Sequence, residues 1–284
     1  SYVDTEDVLK VNEGFVKRLF KEILDVDIKL PLPRMKYADA MNFYGSDKPD
    51  LRFDMKIIDL SDIVKDCGFG VFTGAIENGG SVRAICAKNA VDTYTRKNID
   101  RLTESAKGIG AKGLAWIRMT DDGIASSFAK FMSEDEMNAI ITRCGAEKGD
   151  VIVIVADKNK VTLPTLGALR LEMANKLDII PKDEYNLVWI TEFPFFEYNE
   201  ETQNWDAMHH PFTAPLDECI EYLESDPGKV RAKAYDLVMN GTEMSSGSIR
   251  ITNPELQKKM FKALGLSDEE AQEKFGFLTD AFKY

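Results

Sequence analysis

Glu243-Met244-Ser245-Ser246-Gly247-Ser248-Ile249-Arg250 gathers a carboxylate, hydroxyls and a guanidinium into a short run of sequence. Read as an extended strand, it places side chains two residues apart on one face, so Ser246, Ser248 and Arg250 point the same way. Gly247 leaves room for a close backbone approach. Glu243 and Ser246 are hard oxygen donors of the kind that suit Mg²⁺, which takes few protein ligands and completes its shell with phosphate oxygens. Arg250 has the planar fork that grips a carboxylate in a bidentate pair. The same residues also fit a plain surface strand with an ordinary salt bridge.

Upstream lies Ala207-Met208-His209-His210-Pro211-Phe212-Thr213. In an extended chain the two rings point to opposite faces, so one of them can line a pocket. A neutral imidazole is a sound polar contact for a small anionic substrate, and Pro211 fixes the exit of the chain. Taken by itself, the pair also fits a structural role for at least one ring.

Working outward, Thr5 to Val26 reads as an amphipathic helix, with Val8, Val11, Phe15 and Leu19 on its main apolar stripe and Val16, Phe20 and Ile23 beside it. Pro31 and Pro33 interrupt the chain before a short helix at Tyr37 to Phe43. Phe69-Gly70-Val71-Phe72 and Val82 to Cys86 read as strands around the turn Asn78-Gly79-Gly80. Helices follow over Val91 to Lys107 and Ser133 to Cys144, the second opening on the capping box Ser133-Glu134-Asp135-Glu136. The strands Leu114 to Arg118 and Val151 to Val155 complete a compact α+β insert over residues 61–164. A helix from Thr165 to Leu177 leads out of it. Beyond lie strands at Leu187 to Ile190 and Phe193 to Tyr198, an acidic hairpin at Asn199 to Asn204, and a strand-like Ser246 to Thr252. Helices are expected at Leu216 to Glu224, Pro254 to Leu264 and after the capping box Ser267-Asp268-Glu269-Glu270. The run Gly108-Ile109-Gly110-Ala111-Lys112-Gly113 lacks the preceding strand and the Gly-Lys-Ser/Thr ending of a phosphate loop, and reads as a helix-to-strand turn.

Composition sets the outer limits. With 44% hydrophobic and 10% aromatic residues the chain can build a proper core. A net charge of −12 argues against a surface that grips nucleic acid everywhere, while leaving room for a local basic groove. Cys67, Cys86, Cys144 and Cys219 are scattered without a CxxC pair, as reduced thiols of a cytoplasmic protein would be. No apolar run approaches the length of a membrane span.

At these residues the chain resembles bacterial aspartyl-tRNA synthetases, class II enzymes that activate L-aspartate with ATP and transfer it to tRNA. The resemblance runs over Tyr44-Gly45-Ser46-Asp47-Lys48-Pro49-Asp50-Leu51-Arg52, Glu192 to Glu197, Met208 to Thr213, Gly247 to Ile251 and Phe275 to Tyr284. It implies an α+β fold in which segments of the antiparallel-sheet catalytic domain (residues 1–60 and 165–284) flank a GAD-like insertion domain at 61–164. It further implies that His209 and Arg250 contact aspartate, that Glu243 contacts ATP, and that Glu243 with Ser246 holds Mg²⁺. His210 and Ser248 are further candidates for the same site. Implied partners are the tRNA for aspartate, with that for asparagine as an open alternative, within a homodimeric parent enzyme. Ser245-Ser246 stands where many bacterial members carry glycines. The anticodon-binding barrel and the three class II motifs are absent from these residues, so this chain is expected to be an inactive fragment of the enzyme. Two competing readings are a non-catalytic GAD-containing module that binds tRNA or a partner, and a subunit of a tRNA-dependent amidotransferase.

Overall fold

The computed structural model describes residues 3–281. The chain forms two compact units: unit 1 takes residues 1–38, 187–239 and 243–284, and unit 2 takes 39–186 with 240–242. Phe282, Lys283 and Tyr284, the end of the run that carries part of the resemblance, lie outside the described residues.

Unit 1 begins with α1 (Thr5–Leu24), opened by a reciprocal cap in which Asp4 and Asp7 each accept the other's backbone N–H at 3.0 Å. Its buried face is Leu9, Glu13, Val16 and Phe20, whereas Val11 and Phe15 are 75% and 65% exposed. Of the expected main stripe, Val11, Phe15 and Leu19 therefore face outward, while Val8 packs against the core. Glu13 is the reason. One of its carboxylate oxygens accepts the Leu32 N–H at 3.1 Å and the Trp189 indole N–H at 3.2 Å, and it also pairs with Arg34. A carboxylate with three donors can be buried, and the helix turns the face that carries it inward. β1 (Arg34–Lys36) follows, and α2 (Tyr37–Tyr44) starts at the end of this segment and continues into unit 2.

Unit 2 contains β2 (Ile58–Asp59), α3 (Ser61–Val64), α4 (Gly70–Glu77), β3 (Ser81–Ala87), α5 (Arg96–Ile109), β4 (Ala115–Thr120), β5 (Gly123–Ser126), α6 (Glu134–Arg143), β6 (Val151–Asp157) and α7 (Asn159–Lys176). Its strands form one antiparallel sheet in the order β2-β3-β6-β4-β5. Both faces are covered. Val151, Val153 and Val155 pack with Ile99, Leu102, Leu166 and Leu169 of α5 and α7, while Ile152 and Ile154 pack with Val64, Phe72, Met137 and Ile140 of α3, α4 and α6. Burial on both sides is why this strand reads as an unbroken apolar run.

Two expectations are corrected here. Phe69 to Phe72 is not a strand but the start of α4, because Phe69, Phe72 and Ile76 recur at helical spacing and pack together with Phe128. Helix α7 begins at Asn159, ahead of the expected start at Thr165, and runs through Pro164. The Ser133 cap of α6 is present as read.

The chain returns to unit 1 with β7 (Leu187–Thr191), β8 (Phe196–Asn199), β9 (Asn204–Ala207), β10 (Ala234–Met239), β11 (Thr242–Ser248), α8 (Pro254–Ala263) and α9 (Asp268–Ala281). The main sheet has the order β1-β7-β10-β11, with β1 parallel and β10 antiparallel to β7. β8 and β9 form the expected hairpin, in which Tyr198 opposes Trp205. Phe193 to Phe195 is irregular, with Pro194 bridged to Arg231, and the helix expected at Leu216 to Glu224 is a 3₁₀ turn at Asp217–Tyr222. The expected strand Ser246 to Thr252 is shifted. β11 ends at Ser248, and the next three residues are shared between neighbours: Ile249 N–H donates to Lys233 and Ile251 N–H donates to Phe212, at 2.9 and 2.8 Å.

Candidate active site

All six residues singled out by sequence lie in unit 1, on two stretches joined by the Thr213–Arg250 bridge. The hairpin β8–β9 runs straight into His209, whose ring is edge-on to Phe193 at 5.8 Å and to Phe195 at 5.9 Å. One ring nitrogen donates to the Pro194 carbonyl, and Nε2 is buried with no hydrogen-bond partner. Burial, and then the neighbouring His210, holds the His209 pKa below its ordinary value, which favours the neutral ring. His210 is exposed and turns away, its Nδ1 accepting the Phe212 N–H at 3.2 Å. Its pKa is also lowered, by burial and then by the charge on Arg250. The two rings therefore do different things, although His209 lies in a bend after β9 and not on the extended chain expected from sequence.

Arg250 is exposed and donates to Ser248 Oγ, which sits 3.2 Å from Thr213 Oγ1. Among the described residues Arg250 makes no ion pair, although the chain has 48 carboxylate residues. Its fork is oriented and has no acid on it. Ser248 and Arg250 are thus brought together, with His210 within electrostatic reach.

Glu243, Ser245 and Gly247 alternate with Met244, Ser246 and Ser248 along β11, so Glu243 and Ser246 fall on opposite faces of the strand. Both are exposed. Glu243 suits Mg²⁺ as a single hard-oxygen ligand, which is the mode this ion favours beside phosphate oxygens, but the register does not bring Ser246 to it. No cluster of three or more His, Cys, Asp or Glu residues able to hold a metal exists among the described residues.

Two contributors carried no local signal in the sequence. Tyr235 on β10 lays its ring against Gly247, and its pKa is raised by burial against an opposing effect of Arg250. Glu192, in a left-handed conformation at φ 55°, pairs with Arg231 and with Lys36 at 3.2 Å, next to the Phe193 that holds His209. Both arise from pairing between strands distant in sequence, which local periodicity does not encode.

The oriented arginine and the histidine whose neutral form is favoured lie on adjoining segments of unit 1, and the exposed glutamate lies on the strand that leads to the arginine. The family model for class II tRNA synthetases (D, K and N) matches residues 1–284, and the chain belongs to that family. Among its curated relatives, the aspartate–tRNA ligase of Ruminiclostridium cellulolyticum is 59% identical over 285 residues, covering all of this chain and 48% of that protein. That of Clostridium perfringens strain 13 is 56% identical with the same coverage. The aspartate–tRNA(Asp/Asn) ligase of Lachnoclostridium phytofermentans is 54% identical, again covering all of this chain and 48% of that protein. The chain spans about half the length of the curated relatives it matches.

Proposed function

We propose that this chain is part of an aspartate–tRNA ligase and that unit 1 carries the amino-acid side of its active site. The observation that carries the reading is Arg250: a guanidinium held by Ser248 with no carboxylate partner among the described residues. In a chain of net charge −12, such a fork is matched to a carboxylate brought by the substrate, here the side chain of L-aspartate. Asparagine would leave the cation facing a neutral amide, and a site built around a polar contact rejects a substrate that fails to make it. His209 is assigned to the same site as a neutral ring, its orphaned Nε2 satisfied once substrate or an ordered water reaches it.

ATP is the second substrate, and Glu243 is assigned to its side of the site. A Mg²⁺ ion on Glu243 and the phosphate oxygens would neutralise charge where the aspartate carboxylate attacks the α-phosphate. The aspartyl group then passes to tRNA for aspartate, with the asparagine tRNA as a further acceptor to be assayed. The resemblance further implies a cytoplasmic homodimer. The residues that grip ATP in motifs 2 and 3 are not among these 284, so this stretch by itself is proposed not to form the adenylate.

The test is aspartate-dependent ATP–pyrophosphate exchange by the full-length protein that carries this chain. Arg250→Gln is expected to raise the KM for aspartate on the order of 100-fold, with the KM for ATP within about twofold of its original value. An unchanged aspartate KM would remove Arg250 from the assignment, and exchange driven by a different amino acid would overturn the function.

A further inference from the structure

The candidate active site uses unit 1 alone, and unit 2 carries a charged surface of its own. Between Thr95 and Lys112, five cations (Arg96, Lys97, Arg101, Lys107 and Lys112) stand against two carboxylates, Asp100 and Glu104, in a chain that is otherwise strongly acidic. Helix α5 buries Ile99, Leu102 and Ala106. Lys97 and Arg101, one turn apart, are exposed on the face opposite that stripe. Glu104 is taken by Lys107 at 2.8 Å, and Arg96, Lys97 and Arg101 have no ion-pair partner among the described residues.

Local physics disfavours this arrangement twice. Arg96 and Lys97 occupy a first turn that contains no acidic residue, where the exposed N–H groups of the helix already repel cations. Lys97 and Arg101 also repel each other across one turn. Helices α1, α6, α8 and α9 instead open on acidic residues. The cationic track continues at both ends. Lys176 sits over the Tyr94 ring at 5.2 Å, just before α5, and Lys112 lines a groove of about 790 Å³ together with Asp157, Phe72 and Leu114.

Arg96, Lys97 and Arg101, which no carboxylate among the described residues pairs with, form the footprint of a polyanion. We propose that α5 and the groove at its C-terminal end form an RNA-binding surface that grips phosphates through Arg96, Lys97 and Arg101. The proposal rests on the reading of the chain as part of a tRNA-charging enzyme, which makes RNA the polyanion.

The test uses the full-length protein and labelled tRNA, with binding followed by anisotropy across a salt series. Arg96→Glu/Lys97→Glu/Arg101→Glu is expected to weaken binding at least about tenfold near ~0.1 M salt and to lower the slope of log affinity on log salt by about 2. Its thermal midpoint should hold or rise, because acidic residues in the first turn suit the helix. A weaker binder with an equal or better melt separates this role from a structural one. Reversal of two exposed lysines of unit 1, Lys10→Glu/Lys29→Glu, should leave affinity within about twofold. Unchanged binding by the α5 variant would overturn the proposal, and so would an equal loss in the unit 1 variant. Capture of the unmodified protein by anionic vesicles that tRNA does not displace would overturn it too. Aspartate-dependent exchange by the unmodified protein is measured alongside. Its absence counts against the functional reading, whereas its presence with no α5 effect counts against this surface alone.

Discussion

The ring of Tyr235 fills the space that a side chain at Gly247 would need: a Cβ there would lie 2.7 Å from Tyr235 Cε2 and 2.8 Å from its hydroxyl oxygen. Tyr235 is buried in turn, meeting Trp189 edge to face at 5.9 Å. Trp189 donates its indole N–H to Glu13. A continuous packed line therefore runs from the core of α1 to the strand that leads into Arg250.

Gly247→Ala tests that line. The ring has little freedom to yield, so overpacking of about 1–3 kcal/mol is expected, read as a lower urea midpoint at constant slope. Adding Tyr235→Leu should return part of the loss, giving a double-variant cost smaller than the sum of the single costs. Additive costs would mean that the two residues do not share this space.

Glu13 anchors the other end. Glu13→Ala would leave the Trp189 and Leu32 N–H groups and one side of Arg34 unsatisfied, and should destabilise unit 1 by about 3 kcal/mol. Glu13→Gln keeps one acceptor and should cost less. The reading is Trp189 emission through a urea titration. Equal costs for the two variants would show that the three donors do not depend on the charge.

These two cases mark where sequence reading stopped. The capping boxes at Ser133 and Ser267 were legible because a cap is a local rule of four residues. The contact between Ser248 and Arg250 was legible as alternation along an extended chain. The inward face of α1 was not, because an apolar stripe counts carbon and gives no weight to a glutamate that finds three donors elsewhere in the fold. Nor was Tyr235: its partner is a glycine on the next strand, and cross-strand register is set by the whole sheet.

In unit 2, Gly45 and Gly167 let two backbones touch. A Cβ on Gly45 would lie 2.0 Å from the Leu163 carbonyl oxygen, and one on Gly167 would lie 2.6 Å from that of Gly45. Gly45 also sits at φ 66°, where a side chain adds strain. Gly45→Ala should cost about 3 kcal/mol or more, since backbone rather than a mobile side chain must give way. The measurement is hydrogen exchange of unit 2 amides. Unaltered protection would mean that the loop relaxes without cost.

His209 ties stability to pH with a definite sign. An unfolded imidazole titrates near about 6.5, and the folded ring titrates below that, because burial and then His210 oppose its charge. Above about pH 6.5 both states are neutral, and the ring contributes nothing to the pH dependence. As pH falls below that value, the unfolded chain binds a proton that the native ring resists, so stability declines until the folded ring also titrates. His210, lowered by burial and by Arg250, acts in the same direction. Asp50 and Asp150, whose pKa values are held down by Arg52 and Lys88 against burial, lose their contribution only in a more acid range, beginning near about pH 4. Urea unfolding followed at Trp189 should therefore show a decline between about pH 7 and pH 5 that His209→Gln/His210→Gln flattens. A slope that survives the double substitution would assign the titration to other groups and leave His209 without its neutral-ring role.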